Sequence, residues 1–281
     1  MAIDRAGNLF VADFSEHRVW KVDPAGTLSV VAGTGQAGFG GDGGPAISGR
    51  FSRMHDLVLA ENGDLYIADS DNARVRKIEA ATGILNTVAG NGEKKVTGDG
   101  GPGDRAGLDG VASLWLEGGK LYLTGFSRVV RVLDVASGRI DTVRDLSGGR
   151  SVAVDSRGNI YVAGGTALRV RRPNGGVELV LDTRDAAPDE VKIGNNPKHL
   201  GFDADENVLI ADDFGHQIKK YLVNERKLVV VAGSGKAGAS GIDGPPLRAE
   251  LNGPHGVYFH RPTRTLYIGD SRNKRVLKVE P

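Results

Sequence analysis

The side chains of this chain that could do chemistry are histidines and a lysine at matching places in a repeated sequence. His55, Lys198 and His255 each precede a short apolar segment, and His199 follows Lys198 directly. Neutral imidazoles that converge can bind a divalent metal such as zinc, which polarises a carbonyl group or lowers the pKa of a bound water. His55, His199 and His255 are therefore candidate metal ligands.

The same alignment indicates further polar candidates. Arg150 and Val111 fall in the register of His55 in two other copies, and Asp56 shares the next register with His199. The histidines also have a plainer interpretation, because they can hydrogen-bond loop backbone or line a wet pore. The candidate ligand-binding residues are His55, Arg150, Lys198, His199 and His255, and the candidate catalytic residues are Lys198, Arg150 and Asp56.

A six-fold repeat must position these residues. A short apolar segment of the type LYIAD recurs with a spacing of about 40 to 60 residues, which suits one antiparallel sheet per copy. Such a sheet cannot bury both of its apolar faces alone, so copies stack around an axis until a ring closes. The six segments end at Asp13, Asp69, Gly125, Gly164, Asp212 and Asp270. The prediction is an all-β, six-bladed β-propeller of four-stranded antiparallel blades.

One domain is predicted for residues 1–281, because no linker separates the copies. The sixth copy ends after its third strand, so the last blade lacks its outer strand in this chain. We expect either an upstream segment to complete that blade or three strands to suffice there. The predicted blades cover about 1–33, 55–90, 111–145, 150–182, 198–233 and 255–281, and the long inter-blade loops cover 33–54, 90–110 and 233–254.

The charge and the hydropathy of the chain argue against nucleic-acid binding and membrane insertion. The formal net charge is +1, and no stripe of aromatic and basic residues is evident, so no nucleic-acid partner is expected. No apolar run approaches the roughly 20 residues of a membrane span, so a soluble protein without membrane insertion is expected. Met1 to Asp4 align with the middle of a first strand, so a leader could have been removed with the residues before it, which leaves export open.

The turns after four of the segments share a pattern. They read Glu16 to Val19 (EHRV), Asn72 to Val75 (NARV), Gly215 to Ile218 (GHQI) and Asn273 to Val276 (NKRV). With the preceding segments, such as GNLFVAD, this pattern resembles the NHL repeat. The resemblance implies a propeller, but NHL propellers include protein-binding, RNA-binding, sensor and enzymatic members. The places of His255 and Lys198 are similar to those of zinc-binding histidines in the propeller lyase that completes peptide amidation.

The acidic residues of the repeat have structural interpretations. We expect the strand-end aspartates to accept hydrogen bonds from the N–H groups of their own turns, with Arg18, Arg74 or Arg275 nearby. Three glycine-rich loops place Asp42, Asp99 and Asp243 at one equivalent position, where each could help to hold calcium or could form an ordinary Asp-Gly turn.

The sequence leaves two hypotheses for function. The leading one is a recognition module that binds a protein, peptide or carbohydrate through its long-loop face and pore mouth, because loops on a rigid scaffold commonly bind ligands. The alternative is a metal-dependent lyase or hydrolase with a histidine-lined site at the central pore. We favour the first because no complete catalytic set is present.

Overall fold

The computed structural model describes residues 1–194 and 196–281. Six antiparallel sheets follow one another along the chain, and their main strands pair in chain order. This is the predicted all-β, six-bladed β-propeller fold, and its last blade has three strands, as expected. The residues fall into two compact units, Met1–Arg144 and Asp145–Pro281.

The first unit contains blades one to three. Blade one consists of β1 (Ala2–Ile3), β2 (Leu9–Asp13), β3 (Arg18–Val22) and β4 (Leu28–Ala32). Blade two consists of β5 (Gly44–Pro45), β6 (Met54–Leu59), β7 (Leu65–Asp69), β8 (Arg74–Ile78) and β9 (Ile84–Ala89). Blade three consists of β10 (Gly101–Pro102), β11 (Val111–Glu117), β12 (Lys120–Gly125), β13 (Val129–Asp134) and β14 (Arg139–Ser147), which ends beyond the unit boundary.

The second unit contains blades four to six. Blade four consists of β15 (Ser151–Val154), β16 (Ile160–Gly164), β17 (Ala167–Arg171) and β18 (Val177–Asp182). Blade five consists of β19 (Pro197–Phe202), β20 (Val208–Asp212), β21 (Gln217–Leu222) and β22 (Lys227–Ala232). Blade six consists of β23 (Pro254–His260), β24 (Thr265–Asp270) and β25 (Arg275–Val279). Short 3-10 helices span Ala46–Ser48, Gly103–Arg105, Pro246–Arg248 and Ser271–Asn273.

Apolar residues of the strands and of the long loops form the cores within each unit. In the first unit, Leu114 and Leu121 of blade three are buried in one cluster with Tyr66 of blade two. In the second unit, Leu209 of blade five is buried with Val257 of blade six. Period-two strands with two apolar faces produce this arrangement, because each face must be covered by a neighbouring sheet.

The long loops add strands that the sequence did not predict. Gly44–Pro45 of the first loop pairs with β9, and Gly101–Pro102 of the second loop pairs with β14. Blades two and three therefore have a short fifth strand along the outer edge, contributed by the loop that precedes each blade. The loops cover edges that would otherwise expose unpaired backbone groups.

A buried cation in the third strand secures each of these loops. Arg76 of β8 is fully buried and lies 2.6 Å from Asp42 and 3.3 Å from Asp69. Arg131 of β13 lies 2.8 Å from Asp99. Alternation in the third strand predicts a solvent-exposed cationic side. This prediction is wrong at Arg76 and Arg131, whose guanidinium groups bind loop carboxylates and carbonyl oxygens.

The strand-end aspartates are structural, as predicted, although their partners differ from blade to blade. Asp13 accepts hydrogen bonds from the backbone N–H groups of Ser15 and Glu16, and Asp270 pairs with Arg275 at 2.8 Å. Arg18 and Arg74 lie opposite Asp13 and Asp69 in the strand register, as expected. Their guanidinium groups also donate to the carbonyl oxygens of Thr34 and Asn91 in the long loops.

The described part of the chain contains no helix with the length and apolar character that a bilayer span requires.

Candidate functional site

The first strands of four blades share a β-bulge at their entrances. In blade five, Pro197 lies opposite Asp212 but His199 lies opposite Ala211, so Lys198 is the extra residue. In blade six, Pro254 lies opposite Asp270 and Gly256 opposite Gly269, which makes His255 the extra residue. Bulges redirect side chains at the ends of strands. We call the position of this extra residue the entrance register; its members are His55, Ala112, Lys198 and His255. In blade four Arg150 has the equivalent place, directly before Ser151, which lies opposite Ala163.

The alignment at blade three was wrong by one residue. Val111 pairs with Gly125, as Pro197 pairs with Asp212, so Ala112 and not Val111 occupies the entrance register. The sequence of this copy is degenerate, with glycine in place of the strand-end aspartate, and offered no anchor for the alignment.

His55 lies in an aromatic setting within the first unit. Its ring meets the ring of Phe14 at a centroid distance of 4.9 Å and that of Phe126 at 5.7 Å, both edge to face. Its Nδ1 atom lies 2.8 Å from the hydroxyl of Ser70 and 3.1 Å from the carbonyl oxygen of Arg53. We call Phe14, His55 and Phe126 the aromatic set. The two phenylalanines are 41% and 44% exposed, so a ligand can reach them.

Asp56, a candidate catalytic residue, is buried and bound to backbone. Its Oδ1 accepts a hydrogen bond from the N–H of Leu57 at 2.8 Å, and its Oδ2 accepts one from the N–H of Leu114 at 2.9 Å. The bond from Leu114 connects blade two to blade three. The geometry favours a structural contribution, because both oxygens already have donors.

The second unit gathers cationic residues around one carboxylate. Asp213, whose side chain is 2% exposed, has its Oδ2 atom 3.5 Å from Nζ of Lys198 and 3.5 Å from Nε2 of His255. Its Oδ1 lies 2.8 Å from Nη2 of Arg272. Arg150 is close enough for its charge to lower the pKa of Lys198. We call Arg150, Lys198, His255 and Arg272, with Asp213 among them, the cationic cluster.

The surroundings of this cluster lower the pKa of both Lys198 and Asp213. Burial of Lys198, and then the positive charge of Arg150, lower the pKa of Lys198, while Asp213 opposes the shift. Burial acts to raise the pKa of Asp213, but the hydrogen bond and charge of His255 and the charges of Lys198 and Arg272 lower it overall. Asp213 is therefore an anion that neighbouring cations stabilise.

The predicted site residues are thus distributed between the two units. The structure brings together Arg150, Lys198 and His255, and it places His199 beside Lys198 in β19. Sequence reasoning missed Phe14, Phe126, Asp213 and Arg272. The signal was available for three of them, because Phe14, Phe126 and Asp213 each directly follow the last residue of a repeated segment.

The metal hypothesis requires several His, Cys, Asp or Glu side chains that converge on one point. Within residues 1–194 and 196–281, no group of three or more His, Cys, Asp or Glu side chains is placed to hold one metal ion. His255 faces a carboxylate that Lys198 and Arg272 share. The zinc site of His55, His199 and His255 stays a prediction. Asp42 and Asp99, two of the calcium candidates, are paired with buried arginines.

The histidines of the repeated turns lie beside the entrances. Nδ1 of His17 accepts a hydrogen bond from the N–H of Arg53 at 3.3 Å, and Nδ1 of His216 accepts one from the N–H of Gly253 at 3.2 Å. Arg53 and Gly253 each stand two residues before an entrance-register histidine. The turn histidine therefore helps to fix the backbone at the start of the following blade.

Known proteins are similar to this chain in its repeat sequence and in its fold. Residues 51–78 match the family described as NHL repeat. NHL repeat-containing protein 2 of Gallus gallus is 26% identical over 98% of this chain, which spans 45% of that protein. An auxiliary nutrient binding protein from Bacteroides ovatus is similar with a TM-score of 0.68 and 16% identity, over 98% of this chain and 66% of that one.

A virginiamycin B lyase from Staphylococcus aureus is similar with a TM-score of 0.57 and 10% identity, over 99% of this chain and 82% of that one. At these identities the solved structures show the fold alone. The chain also covers less than half of the Gallus relative. The family match over residues 51–78, the relative and the six successive antiparallel sheets support an NHL-repeat β-propeller.

Proposed function

We propose that this propeller is a recognition module that binds a protein, peptide or carbohydrate at the entrances of its blades. The observation that carries the proposal is the aromatic set, in which the partly exposed rings of Phe14 and Phe126 flank the ring of His55. Aromatic side chains supply a large contact area at low entropy cost, and they dominate the energetics of many interfaces.

The aromatic set is held in place before any ligand arrives. Ser70 and the carbonyl of Arg53 fix the ring of His55, and the guanidinium of Arg53 lies 5.7 Å from the ring centroid of Phe14. A surface that is already ordered loses less entropy when it binds. This supports binding in the first unit, because Ser70 and Arg53 hold the imidazole ring between the two phenylalanines.

The test is selection of ligands on the protein itself. A phage-displayed library of random peptides and a glycan array would be probed with the wild-type chain and with the double variant Phe14→Ala, Phe126→Ala. We expect a selected ligand to lose at least about tenfold in affinity in the double variant, because aromatic contacts are frequent hot spots. Leu28→Ala, which removes an exposed apolar side chain from the outer strand of blade one, is the matched control.

Two results would reject the recognition role. One is the absence of any selected peptide or glycan. The other is a ligand whose affinity is the same in the double variant and in the wild type.

A metal-dependent lyase or hydrolase is the second candidate, and one observation favours a reactive site. Burial lowers the pKa of Lys198, and a lysine with a lowered pKa can act as a general base closer to neutral pH. In this function, His55, His199 and His255 would bind the metal, with Lys198, Arg150 or Asp56 as polar helpers. The cations around His255 disfavour an additional divalent cation there, which is why this function ranks second.

Elemental analysis separates the two functions. Stoichiometric zinc, manganese or calcium that is lost in His55→Ala or His255→Ala, and retained in the control His260→Ala, would support the metal-dependent enzyme. Protein that holds no metal after equilibration with zinc and then with calcium would argue against it.

A further inference from the structure

We infer that the cationic cluster binds an oxyanion on a peptide, either the carboxylate of an acidic side chain or a phosphate monoester. The inference rests on the recognition role proposed above. It concerns residues of the second unit, whereas the aromatic set lies in the first unit, so the oxyanion site can fail while the recognition role stands. It assigns a ligand class to Lys198, Arg150 and His255 and adds Arg272, which no part of the repeat pattern indicated.

The cluster holds more positive than negative charge. Lys198 and Arg272 both contact the carboxylate of Asp213, and Arg150 lies close enough to Lys198 for its charge to lower the pKa of that lysine. The neighbouring strand-end carboxylates are already engaged, because Asp212 pairs with Lys219 and Asp270 pairs with Arg275. Lys198, Arg272 and Asp213 together carry a net positive charge, and both Arg150 and Arg272 repel the charge of Lys198, so an incoming anion would relieve this repulsion.

The cluster is also organised and accessible. Asp213 sits at its base and receives Lys198, His255, Arg272 and the side-chain N–H of Asn196 at 3.1 Å. Lys198 is mostly covered, with 14% of its side chain exposed, whereas His255 and Arg272 are nearly half exposed. The buried carboxylate thus positions the cations, while the exposed edges of the guanidinium and imidazole are available to a ligand.

The shape of the surroundings favours a peptide over a free ion. Phe214 directly follows Asp213 and is 58% exposed, so a large apolar side chain stands next to the charges in the chain. A peptide can place an anionic group and a neighbouring side chain at the same time, which a free ion cannot do. Guanidinium groups bind both carboxylates and phosphates in fork geometry, so the arms of the experiment must distinguish the two sources.

Fluorescence anisotropy with defined peptides tests the inference. The probes are fluorescein-labelled peptides of glycine, serine and phenylalanine that differ only in three central residues, which are glutamate, phosphoserine, glutamine or lysine. The variants are Lys198→Gln and Arg272→Gln. Arg226→Gln is the control, since it removes the same charge from blade five, at the turn between β21 and β22, where Arg226 pairs with Glu178.

We expect the glutamate or the phosphoserine peptide to bind at least about tenfold more tightly than the glutamine peptide, and the stronger of the two names the source of the oxyanion. Lys198→Gln and Arg272→Gln should each weaken that binding at least about fivefold, while Arg226→Gln should not. Affinity should fall as NaCl is raised from about 0.05 to 0.3 M, since partly exposed charges are screened. Arg272→Gln keeps the test valid even if Lys198→Gln fails to fold, because Arg272 is nearly half exposed.

Equal affinity for the glutamate, phosphoserine and glutamine peptides would overturn the inference. An equal loss in Arg226→Gln and Arg272→Gln would also overturn it, because the effect would then be one of net charge. If peptides selected from the library still bind through Phe14 and Phe126 in that case, the recognition role stands and only the oxyanion inference fails.

Discussion

The Nε2 atom of His255 lies 3.5 Å from the Oδ2 atom of Asp213. His255, the candidate site residue of blade six, thus contacts the residue that directly follows the second strand of blade five. This pair therefore joins the turn after the second strand of blade five to the entrance of blade six. The carboxylate also contacts Lys198 and Arg272, so one buried acid organises several candidate binding residues.

The pKa of Lys198 provides a direct check on the cationic cluster. Arg150→Gln should raise the pKa of Lys198 toward its ordinary value of 10.5, because it removes a repelling charge. Asp213→Asn should lower that pKa further, because it removes the attracting charge. NMR titration of isotopically methylated lysines measures both shifts. Shifts of the opposite sign would show that Arg150 and Asp213 do not act on Lys198 through charge.

Removal of the buried carboxylate should destabilise the protein. Asp213→Asn leaves Lys198 and Arg272 without their counter-charge, and we expect a loss of about 2 kcal/mol or more in the free energy of unfolding at pH 7. Urea denaturation measures this loss, with Asp189→Asn at an exposed position as the control. Equal stability of the two variants would contradict the organising role of Asp213.

The same variant has a pH dependence of known sign. The pKa of Asp213 is lowered by folding from its ordinary value of 3.8. Its stabilising contribution is therefore complete above about pH 4 and is lost as the pH falls through the folded-state pKa. The difference in unfolding free energy between wild type and Asp213→Asn should shrink below about pH 4. A difference that grows on acidification would refute the assignment.

The buried guanidinium of Arg76 should secure the first long loop. Arg76→Met leaves Asp69 buried without its ion pair, and we expect a loss of about 3 to 5 kcal/mol in the free energy of unfolding, together with faster amide exchange in residues 40–50. Arg139→Met is the control, because its pair with Asp141 is exposed and should contribute no more than about 1 kcal/mol. Unchanged exchange in the loop would show that Arg76 does not hold it.

The glycine that begins the second long loop should resist substitution. Gly90 has a φ of +93°, and an added Cβ would overlap the carbonyl oxygen of Ala73. Gly90→Ala should therefore lose about 3 kcal/mol or more. Gly83→Ala, at a φ of +69° with open space around the added atom, should lose only the about 1 to 2 kcal/mol of backbone strain. Equal losses would mean that strain alone accounts for the effect.

The fold was largely predictable from sequence, and the candidate site only partly so. The recurring LYIAD segments and their turns set the number of blades, because strand alternation is a local property of the chain. The fifth strands at Gly44–Pro45 and Gly101–Pro102 were not predictable, since a two-residue strand depends on a partner about forty residues away.

Burial of charge was the other feature that sequence could not supply. Arg76 looks like an exposed residue of an alternating strand, and only the return of the loop bearing Asp42 makes its burial possible. Asp213 likewise looks like a second aspartate in a turn, although it organises the cationic cluster. His55, Lys198 and His255 could be found because the entrance bulge repeats in register.

The recognition role is tested most directly by mapping where a selected ligand binds. Chemical-shift perturbation of backbone amides on addition of a peptide or glycan selected on the protein would locate the contact. The account predicts that the largest changes fall at Phe14, His55 and Phe126. Changes confined to outer strands, such as β4 around Leu28, would contradict it.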